Sequence, residues 1–308
     1  MSDRAPSGRP ALGYAEALLA ACLWGSSGVF AVHLFRLGVP PGTVALVRPL
    51  IGVAILLTGF LLTRPRILRI DARGLMVLGL GGGAAVGVFQ IAYQSSIDAA
   101  GVPTTVALLY LAPALVAAAS GPLLGEWPTP RRLALIALTL VGVWLTVVGA
   151  DEVPAGFGAS GLRWGTLAAA AYAAYTLFGR YATPRFGAAR TVVYSTAGAC
   201  AFLALAVPAA PGPFSFPSGT DAWLLLVAFG ALTIAGAQFL FFDALGRIEA
   251  SSASVVTAVE PVVAALLATT LLSQGLSPVG WAGIALVVTG VAGVGMTAHT
   301  EATSTPEG

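Results

Sequence analysis

The chain contains itself twice. The segment ALLYLAPALVAAASGPLLGEWPTP at 107–130 aligns without a gap with VVTAVEPVVAALLATTLLSQGLSP at 255–278, which places Pro113 on Pro261 at an offset of 148 residues. The same offset sets Gln90 on Gln238, Gly82 on Gly230, Gly142 on Gly290, Thr43 on Thr191, Phe30 on Phe178 and Pro130 on Pro278. Chance matches of Ala, Leu, Val and Gly mean little in so apolar a chain. Glutamine, however, occurs only four times, and an offset shared by Gln and Pro is hard to reach by accident.

What each copy is made of follows from hydropathy. With 57% hydrophobic residues, 9% charged and a mean hydropathy of +0.89 over 308 residues, the chain lies far from soluble domains, which carry about 25% charged residues. Windows long enough to cross a hydrocarbon core of about 30 Å fall at 13–34, 43–62, 74–96, 103–124, 132–149, 163–181, 191–210, 221–243, 251–273 and 279–297. The expected fold is an all-α membrane protein of ten transmembrane helices. It divides into a tail at 1–12, a first five-helix repeat at 13–149, a linker at 150–162, a second repeat at 163–297 and a tail at 298–308. An odd number of spans inverts the second copy relative to the first, and inverted repeats meeting at the bilayer midplane are an architecture of carriers.

Charge sets the orientation. The 15 basic residues are all Arg, and Arg4, Arg9, Arg64, Arg66, Arg69, Arg73, Arg131, Arg132, Arg180, Arg185, Arg190 and Arg247 fall in the first tail or after even-numbered spans. Arg36 and Arg163 lie opposite, and Arg48 lies within a span. By the positive-inside rule both termini are cytoplasmic, with the linker outside. The net charge of +2 reflects topology and gives no reason to invoke nucleic acid. The first apolar run is too long for a signal-peptide core and reads as a retained span. Cys22 and Cys200 sit inside spans and His33 and His299 are isolated, so neither a disulfide framework nor a metal cluster is expected.

Several polar and aromatic residues fall in stripes at helical spacing. Gly79, Gly83 and Gly87 read as a close-packing face that continues into Gln90 and Gln94. Trp24 groups with Ser27, Tyr172 with Tyr175, and Gln238 with Phe242. Amides are costly against lipid and should face protein or water. Together with Tyr110, these residues form the expected lining of a central cavity. Pro113 and Pro261, near the middle of spans four and nine, each delete a backbone hydrogen bond and read as helix kinks. Arg48 lies about 8 Å below the outer end of its span and Glu260 about 13 Å from the inner end of its own, so their backbones differ in depth by roughly 9 Å. Intramembrane charges are functional candidates by default. Glu260 is the candidate for coupling conformation to protonation, with Arg48 as its electrostatic partner. Glu16, one turn into span one, is expected at the interface.

The motifs AACLWGSSGVFA around Trp24, LVRPLIG around Arg48, YLAPALVAAASGPLLGEWPT around Pro113 and AVEPVVAALLATTLLSQGLSP around Glu260 resemble the drug/metabolite transporter superfamily, in its EamA-type branch of ten-span bacterial and archaeal permeases. The resemblance covers residues 14–297. Where the family closes span nine with a Gly-Glu pair like Gly125-Glu126, this chain has Ser273-Gln274. The resemblance implies two inverted five-span repeats around a cavity formed by spans one, three, four, six, eight and nine. It implies a prokaryotic cytoplasmic-membrane carrier of small metabolites or drugs, most often outward.

The leading expectation is a secondary transporter, not an enzyme, exporting amino acids or similar neutral or zwitterionic solutes by alternating access. It needs no cofactor beyond possible coupling to protons, its partners are a small-molecule substrate and the lipid bilayer, and its oligomeric state is left open. A nucleotide-sugar or sugar-phosphate exchanger would need several cations for a polyanion, and only Arg48 lies within a span. An intramembrane enzyme would need a nucleophile and base or a metal cluster, and no such constellation stands out.

Overall fold

The computed structural model describes residues 10–149, 158–209, 214–271 and 277–303, and among them every regular element is helical. Residues 1–9 and 304–308 of the expected tails, linker residues 150–157 and the Ser273-Gln274 pair lie outside the described residues. At the boundaries the helices run further than hydropathy suggests, because α1 (Pro10–Gly25) starts inside the expected first tail. The last helix, α14 (Pro278–Thr303), continues past residue 297.

The first copy continues from α1 through α2 (Ser27–Arg36), α3 (Pro41–Thr63), α4 (Ala72–Met76), a π-helical stretch at Val77–Gly82, α5 (Gly83–Leu109) and α6 (Ala112–Leu124) to α7 (Pro130–Val148). The second runs through α8 (Ala159–Phe186), α9 (Ala188–Ala209), α10 (Thr220–Gly230), a second π-helical stretch at Ala231–Gln238, α11 (Phe239–Arg247), α12 (Ala250–Thr257) and α13 (Glu260–Leu271) to α14. Although helical throughout, α5 is not one rod. The hydroxyls of Ser96 and Thr105 lie 2.8 Å apart, whereas nine residues of straight α-helix rise about 13.5 Å. The chain therefore doubles back between them, separating the third and fourth spans.

Among the described residues, seven helical runs are long and apolar enough to cross a membrane, and α6 and Pro278–Gly293 are shorter apolar helices. Although α8 has the length, Arg163, Arg180 and Arg185 along it reduce its apolarity. The surface is inside-out for a soluble protein: Leu62, Leu80, Leu123, Leu205 and Leu224 are all exposed, while Thr191, Ser195, Thr196, Ser251 and Thr257 are buried. Exposed apolar surface on this scale marks an interface, here with lipid.

The duplication reappears as equivalent contacts. Residues are equivalent below when 148 positions separate them. Thr129 caps α7 by accepting from Arg132 N at 3.3 Å, and its equivalent Ser277 caps α14 by accepting from Gly280 N at 3.4 Å. The helix before Pro113 is interrupted at Tyr110–Leu111 and the helix before Pro261 at Ala258–Val259, again equivalent positions. The expected kinks are thus full breaks. Each proline stands in the first turn of a new helix, where its missing N–H costs nothing. At the packing of α7 on α14, a methyl group built on Gly142 would meet Val287 and Gly283, and one on Gly290 would meet their equivalents Thr139 and Leu135. Such reciprocal contact is what a two-fold relation between copies produces. The glycine stripe packs as expected: Gly83 and Gly87 lie against Gly198 and Phe202 of α9.

Candidate functional site

Between the two copies lies a cavity of about 50 Å³, room for no more than a few waters, lined by Trp24, Ser27, Arg48, Val86, Phe89, Gln90, Tyr93, Leu109, Tyr172, Tyr175, Ile234, Gln238 and Glu260. Four equivalent pairs share this wall: Trp24 with Tyr172, Ser27 with Tyr175, Val86 with Ile234 and Gln90 with Gln238. Trp24 and Tyr172 meet edge-on, with ring centroids 6.5 Å apart. Behind them Phe241, the equivalent of Tyr93, packs on Trp24 at 5.1 Å and on Tyr175 at 5.8 Å.

The polar groups are tied down mostly in pairs. Trp24 donates its indole N–H to the Thr233 carbonyl at 2.9 Å, inside the second π-helical stretch, where widened turns leave carbonyls open. Arg48, 6% exposed, donates from Nη2 to Gln90 Oε1 at 2.8 Å and stacks its guanidinium over Phe229 at 4.6 Å. Its Nε–H is buried without a partner. Gln238 donates to Thr196 Oγ1 at 3.2 Å. Thr196 is the equivalent of Arg48, so one contact is built twice, with a cation in the first copy and a hydroxyl in the second. The amide serves both because it offers an acceptor on one side and a donor on the other. Glu260 opens α13 at the helix break, and its equivalent, opening α6, is Ala112. No ion pair joins Arg48 to Glu260, although both line the cavity.

Of the residues expected to line a cavity, Trp24, Ser27, Gln90, Tyr172, Tyr175 and Gln238 lie on this wall, together with the two coupling candidates Arg48 and Glu260. Three do not. Tyr110 lines an adjoining crevice with Pro113, Thr257 and Glu260. Gln94 is buried one turn beyond Gln90 with Oε1 unpartnered. Phe242 is buried against Tyr175, at 6.0 Å, and Gly179. Residues adjacent on a helix point about 100° apart, so it cannot share the direction of Phe241. Sequence reasoning missed Val86, Phe89, Tyr93, Leu109 and Ile234. Carrying the repeat offset from residue to residue would have linked Val86 to Ile234, as well as Trp24 to Tyr172. A second groove of about 540 Å³ between α6 and α8 is lined by aliphatic and aromatic side chains such as Leu115, Leu123, Phe178 and Tyr181, without a charge.

At one end of the bundle the copies are clasped by ion pairs converging on the turn between α11 and α12. Glu126 accepts from Arg180 Nε and from the Ala250 N–H at 3.1 Å, while Arg180 also donates to the Leu245 carbonyl at 3.0 Å. Arg132 pairs with Glu249. Glu16, expected at the interface, lies at this end, buried, and accepts from Arg247 Nε at 3.0 Å. Each of these three pairs joins the first copy to the second. Sequence reasoning had no signal for the partner of Glu126, 54 residues away.

The EamA-like transporter family pattern matches the chain twice, over residues 11–148 and 159–296, so the matches themselves are set at the repeat offset. An uncharacterized inner membrane transporter of Salmonella typhimurium, YicL, is 27% identical over 290 residues, covering 91% of this chain and 93% of that protein. An uncharacterized transporter of Bacillus subtilis, YwfM, is 24% identical over 282 residues, covering 89% and 90%. A solved crystal structure shares the fold with a TM-score of 0.80 at 22% identity, covering 94% of this chain and 98% of the other.

Proposed function

Since the chain belongs to the EamA-like transporter family, we propose that it is a secondary transporter exporting small neutral or zwitterionic metabolites, amino acids first among them, by alternating access. The observation that carries this reading is the cavity between the copies, whose wall draws equivalent residues from both. A site on the boundary between two similar halves can be opened to one side or the other by rocking one half against the other.

In this reading ten helices cross the cytoplasmic membrane as two inverted repeats of five, with Arg64–Arg73 and both termini inside, as the bias of Arg supports. The clasp at Glu126–Arg180, Arg132–Glu249 and Glu16–Arg247 then closes the cytoplasmic side. A cavity of about 50 Å³ corresponds to a closed state that must expand to admit a solute. One guanidinium in the wall suits a solute with a single anionic group and leaves a polyanion uncompensated.

The test is uptake and counterflow in proteoliposomes over a panel of amino acids, sugars and cationic drugs, with nucleotide sugars as controls. Saturable movement of a neutral or zwitterionic solute is expected. Robust nucleotide-sugar exchange, or movement of no solute, would refute the reading.

A further inference from the structure

The duplication supplies an internal control for each buried charge. Arg48 makes the contact to Gln90 that Thr196 makes to Gln238, and Glu260 opens the helix that Ala112 opens in the first copy. A neutral residue therefore suffices for the helix pairing and for the helix break. An intramembrane charge costs several kcal/mol, and the other copy makes the equivalent helix pairing and the equivalent break without one. They also leave capacity unused: Arg48 Nε–H has no partner, and no ion pair joins the two side chains across the cavity both line.

We infer that Arg48 and Glu260 are the two poles that read a zwitterionic solute, Arg48 holding its carboxylate and Glu260 its ammonium. The inference rests on the transporter reading and assigns specificity within it. A guanidinium offers a carboxylate two parallel N–H donors, and a carboxylate accepts from an ammonium. The rings of Trp24, Phe89, Tyr93 and Tyr172 share the wall with Arg48 and Glu260, which suits an uncharged side chain. The two amides Gln90 and Gln238 sit near the centre as positioning groups.

The copies also prescribe the variants. Arg48→Thr and Glu260→Ala install the residues that the other copy already uses at those positions, so both are expected to fold. Binding is measured on purified full-length protein in nanodiscs, by quenching of tryptophan fluorescence, with leucine and phenylalanine, their primary amides and the corresponding deaminated acids.

The parent is expected to bind at least one of the two zwitterions about tenfold or more tightly than its amide or its acid, the loss of one charged hydrogen-bonded contact. Arg48→Thr should lose the preference for zwitterion over amide while keeping the preference over acid, and Glu260→Ala should do the reverse. Should either variant elute as aggregate, Arg48→Gln and Glu260→Gln replace it, each keeping a hydrogen-bonding amide.

Variants that discriminate as the parent does would overturn the assignment. So would a parent that binds neither series. If it still moves another solute in proteoliposomes, only the poles fall; if it moves none, the transporter reading falls with them.

Discussion

Trp24 shows how one residue carries both structure and site. Its ring faces the cavity, while its N–H is committed to the Thr233 carbonyl and is not free for a solute. Trp24→Phe keeps the ring and strands that carbonyl, so it should lower stability by about 1–2 kcal/mol, read as a lower melting temperature in detergent, with little change in solute preference. A change of preference without a change in melting would put the indole N–H in the binding step instead. Glu260 offers a second test at this scale. If it couples transport to protons, Glu260→Gln should abolish the pH dependence of flux between about pH 4 and 8, a range that takes in the titration of a carboxylate, in protein that still folds. An unchanged profile would leave facilitated diffusion as the mechanism. Single residues were also where the sequence was most readable, since Gln90, Gln238, Arg48 and Glu260 stand out against an apolar background and all four reach the cavity. Aromatic residues were less readable, because Phe241 and Phe242 look alike in sequence and only packing decides which ring backs Trp24.

Among the elements, the pairing of α7 with α14 is the clearest consequence of duplication. In lipid the hydrophobic effect does not drive helices together, so close approach at small residues does much of the work. Gly142 lies against backbone atoms of Val287 and Gly283, which cannot yield, whereas Gly290 lies first against the Thr139 side chain. Gly142→Ala should therefore cost about 1–3 kcal/mol and more than Gly290→Ala, as judged by melting in detergent; equal or reversed losses would mean that the helices slide to accommodate either methyl. The helix breaks were half legible. Proline marked them at Pro113 and Pro261, but proline alone is compatible with a kink, and the full interruption at Tyr110–Leu111 and Ala258–Val259 shows only in the fold. The ion-pair clasp was not legible at all. Its partners are separated by up to 231 residues and meet only once both copies are docked.

For the whole molecule, the repeat offset carried most of the architecture: five windows per copy, equivalent capping at Thr129 and Ser277, and a cavity shared by equivalent residues. Orientation rests on the Arg distribution and can be checked directly. In a cysteine-free background, Arg66→Cys should resist a membrane-impermeant thiol reagent in intact cells while Glu152→Cys reacts, and the opposite pattern would invert the topology. Alternating access requires the copies to move against each other around the cavity, opening and closing the clasp. Its most direct test places cysteines at Glu126 and Arg180, bridges them with a cleavable bifunctional thiol reagent, and follows solute counterflow in proteoliposomes. Alternating access predicts that bridging abolishes counterflow and that cleavage of the linker restores it. Counterflow at the parental rate while the bridge is intact would contradict it.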